Sequence, residues 1–251
     1  HWLLSQFLEH EVPFYSSVDL RNSGFKLAPV DTNLFPGGFN NLNPDFLPLC
    51  VHAAMSAIQK LCPDAQKFVL VPENHTRNLH YLQNVATLKR ILEGAGLAVR
   101  IGSLIPDLAG ATELQTAGGE KLLLEPLRRS GNRVGLDGFD PCAVVLNNDL
   151  SGGVPAILRG LEQTVVPPLI AGWSTRRKTR HFAAYEEVAD DFAELLGIDP
   201  WFVNPVFSQC GQVNFAEKAG EDCLAANVDY VLAEVREKYA QYGITEAPFA
   251  I

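Results

Sequence analysis

Apolar and polar positions follow two rhythms along this chain, one helical and one of strand period, and their alternation divides it into elements. Residues 2–10 place Trp2, Leu3, Phe7 and Leu8 near one face of a helix. Residues 14–20 alternate as a strand does; after an Asn-Ser-Gly turn at 22–24, residues 25–30 read as its hairpin partner. This leads into KLAPVDTNLFPGGFNNLNP (26–44), a stretch with no helical or strand period, Pro-bounded ends and a Gly pair, built to hold a fixed loop. A helix is predicted over 44–61, with proline in its first turn and Asn43 as N-cap. A short buried strand at 67–71 (KFVLV), a helix over 77–93 stopping at Gly94, and a strand at 97–101 (LAVRI) follow. Strand, helix and strand within about 35 residues is the signature of a right-handed parallel βαβ unit.

Residues 121–136 resemble a hairpin across Ser130-Gly131-Asn132. A further buried strand at 142–146 (CAVVL) runs into a polar, glycine-containing stretch and a helix predicted from Pro155 to about Gln163, with one more short strand at 169–171. Two long amphipathic helices close the chain, 178–196 and 222–242; the first has a stripe of Phe182, Tyr185, Val188, Phe192 and Leu195. The pattern as a whole predicts an α/β protein with a mostly parallel sheet and flanking helices. It divides into 1–65 (helix, hairpin and loop), 66–200 (the α/β domain) and 201–251 (a helical connection). In such sheets ligands sit outside the carboxyl ends of the strands, which draws together the loop after Val71, the loop after Leu146 and, as a third candidate, the 26–44 loop.

Composition narrows the function. Across 251 residues the net charge is −9, which argues against a general nucleic-acid binder while leaving room for a local cluster of cations around a small anion. The longest apolar runs are too short for a bilayer. The five cysteines have neither CxxC nor zinc spacing, so they read as free thiols in a reducing cytoplasm, and no metal site is expected within these residues. The chain starts inside a helical pattern without Met and stops at Pro248-Phe249-Ala250-Ile251, which reads as the start of a buried strand; the natural protein is expected to continue past Ile251.

Four stretches carry candidate chemistry. Asn147-Asn148-Asp149, then Ser151-Gly152-Gly153, lies between a buried strand and a predicted helix, where exposed N–H groups suit an anion; the plain alternative is a βα connection, since the motif is neither GxGxxG nor Walker A. In Glu73-Asn74-His75-Thr76-Arg77, His75 suits proton transfer and Arg77 a carboxylate clamp, against a helix cap with a solvated arginine. Arg176, Arg177, Lys178 and Arg180 fall within five positions of a negative protein and would attract a carboxylate or phosphate, against a solvated helix start. Such cations oppose the dipole of the helix they begin. In the hairpin and loop, Arg21 and Lys26 supply cations, Asp31, Asn33, Asn40 and Asn41 supply carboxylate and amide groups, and Phe35 and Phe39 anchor a turn at Pro36-Gly37-Gly38. Long ordered loops cost conformational entropy and are often functional.

The string Ser17-Val18-Asp19-Leu20-Arg21 and the run from Lys26 through PVDTNLFPGGFNNL to Leu42 closely resemble a bacterial family of ATP-dependent glutamate–cysteine ligases; residues 145–153 and 174–182 are similar to it too. The likeness runs the length of the chain. It implies a pre-ATP-grasp-like domain preceding an ATP-grasp region largely absent from this chain. It implies ligation of the γ-carboxylate of glutamate to the amino group of cysteine through an acyl phosphate, with ATP and Mg²⁺, as the first step of glutathione synthesis. Its partners would be small-molecule substrates, not nucleic acid or membrane, and its glycine-rich nucleotide segment would follow Ile251. A glutamate site needs guanidinium or ammonium groups and a counter-carboxylate. Arg21, Lys26, Arg176 and Lys178 suit the first role and Asp31 and Asp149 the second; Asn33, Asn40, Asn41, Asn147 and Asn148 complete the candidate substrate site. Phosphoryl chemistry rests on positioning and charge neutralisation, which agrees with the lack of an evident triad. Cys50 and Cys142 sit in apolar runs and read as core. Two rivals stand beside this reading: another ATP-grasp carboxylate–amine ligase with a different acceptor, and a non-catalytic amino-acid-binding α/β module.

Overall fold

The structure, a computed structural model, describes residues 1–75, 77–211 and 213–245; Thr76 of the second candidate stretch and the strand start expected at 248–251 lie outside the described residues. In chain order the elements are α1 (Trp2–Glu9), β1 (Ser17–Asn22), β2 (Leu27–Asn33), α2 (Leu47–Leu61), β3 (Lys67–Pro72), α3 (Leu79–Gly94) and β4 (Ala98–Ser103). They continue with β5 (Thr112–Gln115), β6 (Lys121–Pro126), β7 (Arg128–Ser130), β8 (Arg133–Gly135), β9 (Ala143–Asn147), β10 (Thr164–Val166), α4 (Lys178–Leu196) and α5 (Lys218–Gln241). The chain divides into two units: residues 1–17 with 33–176, and residues 18–32 with the chain from 177 onward.

The first unit is built on a six-stranded sheet in the order β10-β9-β3-β4-β6-β5, parallel except for β5, which pairs antiparallel with β6. The mixed α/β architecture with a mostly parallel sheet is the one predicted, and β3–α3–β4 is the expected βαβ unit. Because side chains alternate across a strand, each strand feeds two cores. Phe68, Leu70, Val99, Ile101, Leu122, Leu124, Ala143 and Val145 face α2 and α3. Val69, Val71, Val144 and Leu146 face the β7–β8 hairpin and the loops around Leu150 and Leu158. Strands buried on both faces explain the uninterrupted apolar runs at 68–71 and 142–146.

Four sequence expectations are corrected. The helix predicted from Pro155 to Gln163 is only a 3-10 turn at Ala156–Leu158. Gly160, at φ 63°, leaves the helical region, and the guanidinium of Arg129 donates to the carbonyls of Ala156, Ile157 and Arg159 that a helix would have used. The polar stretch after β9 therefore does not open a helix, and the anion argument built on a helix N-terminus falls. The short strand expected at 169–171 is a second 3-10 turn, Leu169–Ala171, and Thr164–Val166 is the strand instead. The hairpin read over 121–136 is confined to β7 and β8, while β6 joins the main sheet beside β4. In α4 the buried positions are Ala189 and Ala193; Val188 and Leu195 from the predicted stripe are exposed.

The second unit consists of the β1–β2 hairpin, α4, α5 and the segment between these helices. Trp201 is its aromatic centre, stacked on Phe25 at 5.9 Å and on Tyr242 at 5.4 Å between ring centroids. Asp199 sits beside it, accepting from Lys238 Nζ at 2.6 Å and from the Tyr242 hydroxyl at 2.7 Å.

Candidate active site

The strand order places the topological switch point between β3 and β9, since the chain proceeds from β3 to β4 and β6 on one side and returns to β9 and β10 on the other. The carboxyl ends of these two neighbours, Pro72 and Asn147, are in register. Ligands of open α/β sheets bind at this kind of crevice, and a dense polar network occupies it. Asn147, 3% exposed, donates from Nδ2 to the carbonyl of Pro36 at 2.7 Å. Its Oδ1 accepts from Asn84 Nδ2 and from the Tyr81 hydroxyl, each at 3.1 Å. Asn84, 2% exposed on α3, accepts the Phe39 N–H at 2.9 Å. The Tyr15 hydroxyl donates to the carbonyl of Leu146, and the Tyr15 ring meets Phe39 edge-on at 5.9 Å. Burial pushes both tyrosine phenols, Tyr15 and Tyr81, well above the ordinary range, so both stay hydrogen-bond donors. The loop of 34–43 is thus tied at Pro36 and Phe39 to two buried asparagines on β9 and α3.

Beyond Asn147 the chain makes a tight turn. Asn148 Oδ1 accepts the Leu150 N–H at 3.0 Å and Asp149 Oδ1 the Ser151 N–H at 2.8 Å. Leu150 has φ 55°, a left-handed conformation rare for a branched side chain, held because its side chain is 1% exposed in the core. Gly172 permits this packing, since a Cβ there would lie 2.7 Å from Leu150 Cβ and 3.2 Å from the Asp149 carbonyl oxygen. That close approach lets Trp173 N–H donate to the Asp149 carbonyl at 2.9 Å, and the Arg176 guanidinium lies 5.0 Å from the Trp173 ring centroid. Across the crevice Glu73 Oε1 accepts the Asp149 N–H at 2.7 Å. Burial raises the Glu73 carboxyl above its usual range; the hydrogen bond from Asp149 opposes this and the Asp149 charge adds to it. Among the predicted site residues, the first unit therefore gathers Asn147, Asn148, Asp149 and Arg176. Asn33 caps its own turn through the Phe35 N–H at 2.8 Å, and Asn40 donates to Asn41 at 3.2 Å on the loop surface.

Arg21, Lys26, Asp31 and Lys178 belong to the second unit. Lys178, the first residue of α4, pairs with Asp31 of β2 at 3.0 Å; both are partly exposed, so the pair contributes little to stability. Arg21 is exposed on β1. Lys26 lies over the Trp201 ring, 4.5 Å from its centroid. Burial lowers its pKa from 10.5 to about 8, with Asp199 opposing and Lys238 adding to the shift. The sign follows from linkage: between about 8 and 10.5 the unfolded chain holds a proton that the folded chain has released, so stability rises with pH across that window. Urea midpoints recorded through it are expected to climb in the wild type and to lose that part of the slope in Lys26→Met. An unchanged slope in the variant would show that Lys26 is not the group responsible.

A model of the family described as glutamate–cysteine ligase matches residues 1–251, the whole chain. The chain belongs to the glutamate–cysteine ligase family. A solved structure from Methylobacillus flagellatus KT, described as a gamma-glutamylcysteine synthetase, shares 60% sequence identity and superposes with a TM-score of 0.93. The match covers 98% of this chain and 58% of that one, so this chain spans little more than half of that relative. No curated protein sequence matches it.

Within this ligase-family chain, the structure adds residues that the sequence reading did not single out: Tyr15, Glu73 as a backbone acceptor, Tyr81 and Asn84. Asn84 carried a signal, being an amide among Leu82, Val85, Ala86 and Leu88 on the buried face of a helix. Tyr15 and Tyr81 carried none, since an aromatic at helical or strand spacing reads as core. His75 and Arg77, named from sequence, line an open cleft of about 450 Å³ with Asn74 and Asn78, and the His75 ring meets Tyr81 edge-on at 5.9 Å. Cys50 and Cys142 are half-buried. Among the described residues no group of three or more His, Cys, Asp or Glu is arranged to hold a metal ion, and no helix is long and apolar enough to cross a membrane.

Proposed function

We propose that the protein to which these residues belong joins the γ-carboxylate of L-glutamate to the amino group of L-cysteine in an ATP-dependent, ADP-forming ligation. The observation that carries this reading is the family match over residues 1–251, and the 60% identical relative supports it. On this reading the crevice between β3 and β9 forms part of the amino-acid site. Arg176, held against Trp173, meets a carboxylate, and Asp149, fixed through its N–H to Glu73 and its carbonyl to Trp173, faces the ammonium. Asn147 acts indirectly, by holding the loop through Pro36. Arg21, Lys26, Asp31 and Lys178 are further candidates from the second unit, and Asn33, Asn40, Asn41 and Asn148 shape the loops.

ATP and Mg²⁺ are the cofactors proposed with this reaction. The described residues do not supply a carboxylate cluster for the ion. We assign their site to an ATP-grasp region of the whole protein, outside the residues described for the amino-acid site. The experiment is ADP release by the full-length protein with ATP, Mg²⁺ and glutamate across a set of acceptor amines. Release that requires both glutamate and cysteine is expected. Release with another amine in place of cysteine would move the protein to a different carboxylate–amine ligase, and glutamate binding without turnover would favour a binding module.

A further inference from the structure

The second unit brings two thiols together where nothing in the proposed ligation needs them. Cys223 is exposed in the second turn of α5, and Cys210, thirteen positions earlier, is half-buried in the segment leading to that helix. Asn227, one helical turn after Cys223, joins the two segments. Its Nδ2 donates to the Cys223 sulfur at 3.7 Å, and its Oδ1 accepts from the hydroxyl of Ser208, two residues before Cys210. The Cys210 thiol lies close enough to Cys223 for the two groups to act on each other. The remaining cysteines, Cys50, Cys62 and Cys142, all lie in the first unit.

We propose that Cys210 and Cys223 form a reversible intrachain disulfide by exchange with low-molecular-weight disulfides. Cys223 is the attacking thiol: it is the more exposed of the two, and its sulfur accepts a hydrogen bond from Asn227. Its thiolate attacks one sulfur of the small disulfide, forming a mixed disulfide and expelling a thiolate. Cys210 then loses its proton and attacks the Cys223 sulfur, which expels the second small thiol. Two protein thiols are oxidised and one small disulfide is reduced to two thiols, so atoms and electrons balance. The neighbouring Cys223 thiol raises the Cys210 pKa, which suits Cys210 to the later, resolving role. The new bond would fasten the residues around Ser208 and Cys210 to α5.

The test treats the intact chain with hydroxyethyl disulfide as probe, quenches by alkylation and maps the cysteines by mass spectrometry. The expected product joins the peptides of Cys210 and Cys223 with loss of two hydrogens, reverts with dithiothreitol, and raises the thermal midpoint of the chain. Cys210→Ser should stop at a stable mixed disulfide on Cys223, which shows capture without resolution and needs no change in fold. Separate alkylation of both cysteines after treatment, or a wild-type mixed disulfide at Cys223 as long-lived as that of Cys210→Ser, would overturn the proposal. So would Cys50, Cys62 or Cys142 reacting faster than Cys223.

Discussion

Asn147→Ala is expected to destabilise the first unit by about 3 kcal/mol, because it strips partners from groups that cannot reach water. The side chain joins three segments distant in sequence. It donates to Pro36 in the loop, accepts from Asn84 and Tyr81 on α3, and stands at the end of β9. Without it, the Pro36 carbonyl and one Asn84 N–H are left buried and unpaired. A buried unsatisfied polar group costs about 1–3 kcal/mol, so two of them outweigh the loss of side-chain volume. Urea unfolding should show a lower midpoint at an unchanged slope, and amide exchange at Phe39 should quicken as the loop loosens. Asn147→Asp keeps the shape but turns a donor into an acceptor against the Pro36 carbonyl, and should be no better than alanine. A double-mutant cycle with Asn84→Ala should show strong coupling, since the two side chains share one network. A wild-type midpoint in Asn147→Ala would mean that the loop is held by Phe35 and Phe39 packing alone.

The second large effect is on binding. In the full-length protein, Arg21→Ala and Arg176→Ala are each expected to weaken glutamate binding by about 2–4 kcal/mol if each guanidinium pairs with a desolvated carboxylate. The two lie in separate units, so each is measured on its own by calorimetry. Arg176 permits a finer test, because its guanidinium lies over Trp173. Arg176→Lys keeps the charge but loses the planar fork and the stacking, and should recover only part of the affinity. Native affinity in both alanine variants would remove these residues from the glutamate site while leaving the family membership intact.

The sequence by itself determined the α/β class, the central strands β3, β4 and β9, most helices and the family. Runs such as 68–71 and 142–146 suit strands buried on both faces, as in a parallel sheet, and 178–196 carries a helical period, so local pattern was enough to place these elements. The string PVDTNLFPGGFNNL marked the ligase family and, from Leu34 on, a fixed loop; its first residues, expected to lack a strand period, belong to β2. Tertiary structure alone decided what that loop is fastened to. Pro36, Asn84 and Asn147 lie far apart in sequence, and hydrogen bonds between distant polar residues leave no periodic trace. Tertiary contacts also decided where local propensity gives way: Arg129, from another strand, takes the carbonyls that would have made a helix of 155–163. The turn at Leu150 exists because a buried leucine and the missing Cβ of Gly172 make its unfavourable backbone the better compromise. Patterns of neighbouring residues predict elements because their energetics are local; the crevice between β3 and β9 is made of long-range partners, and only the folded chain brings those together.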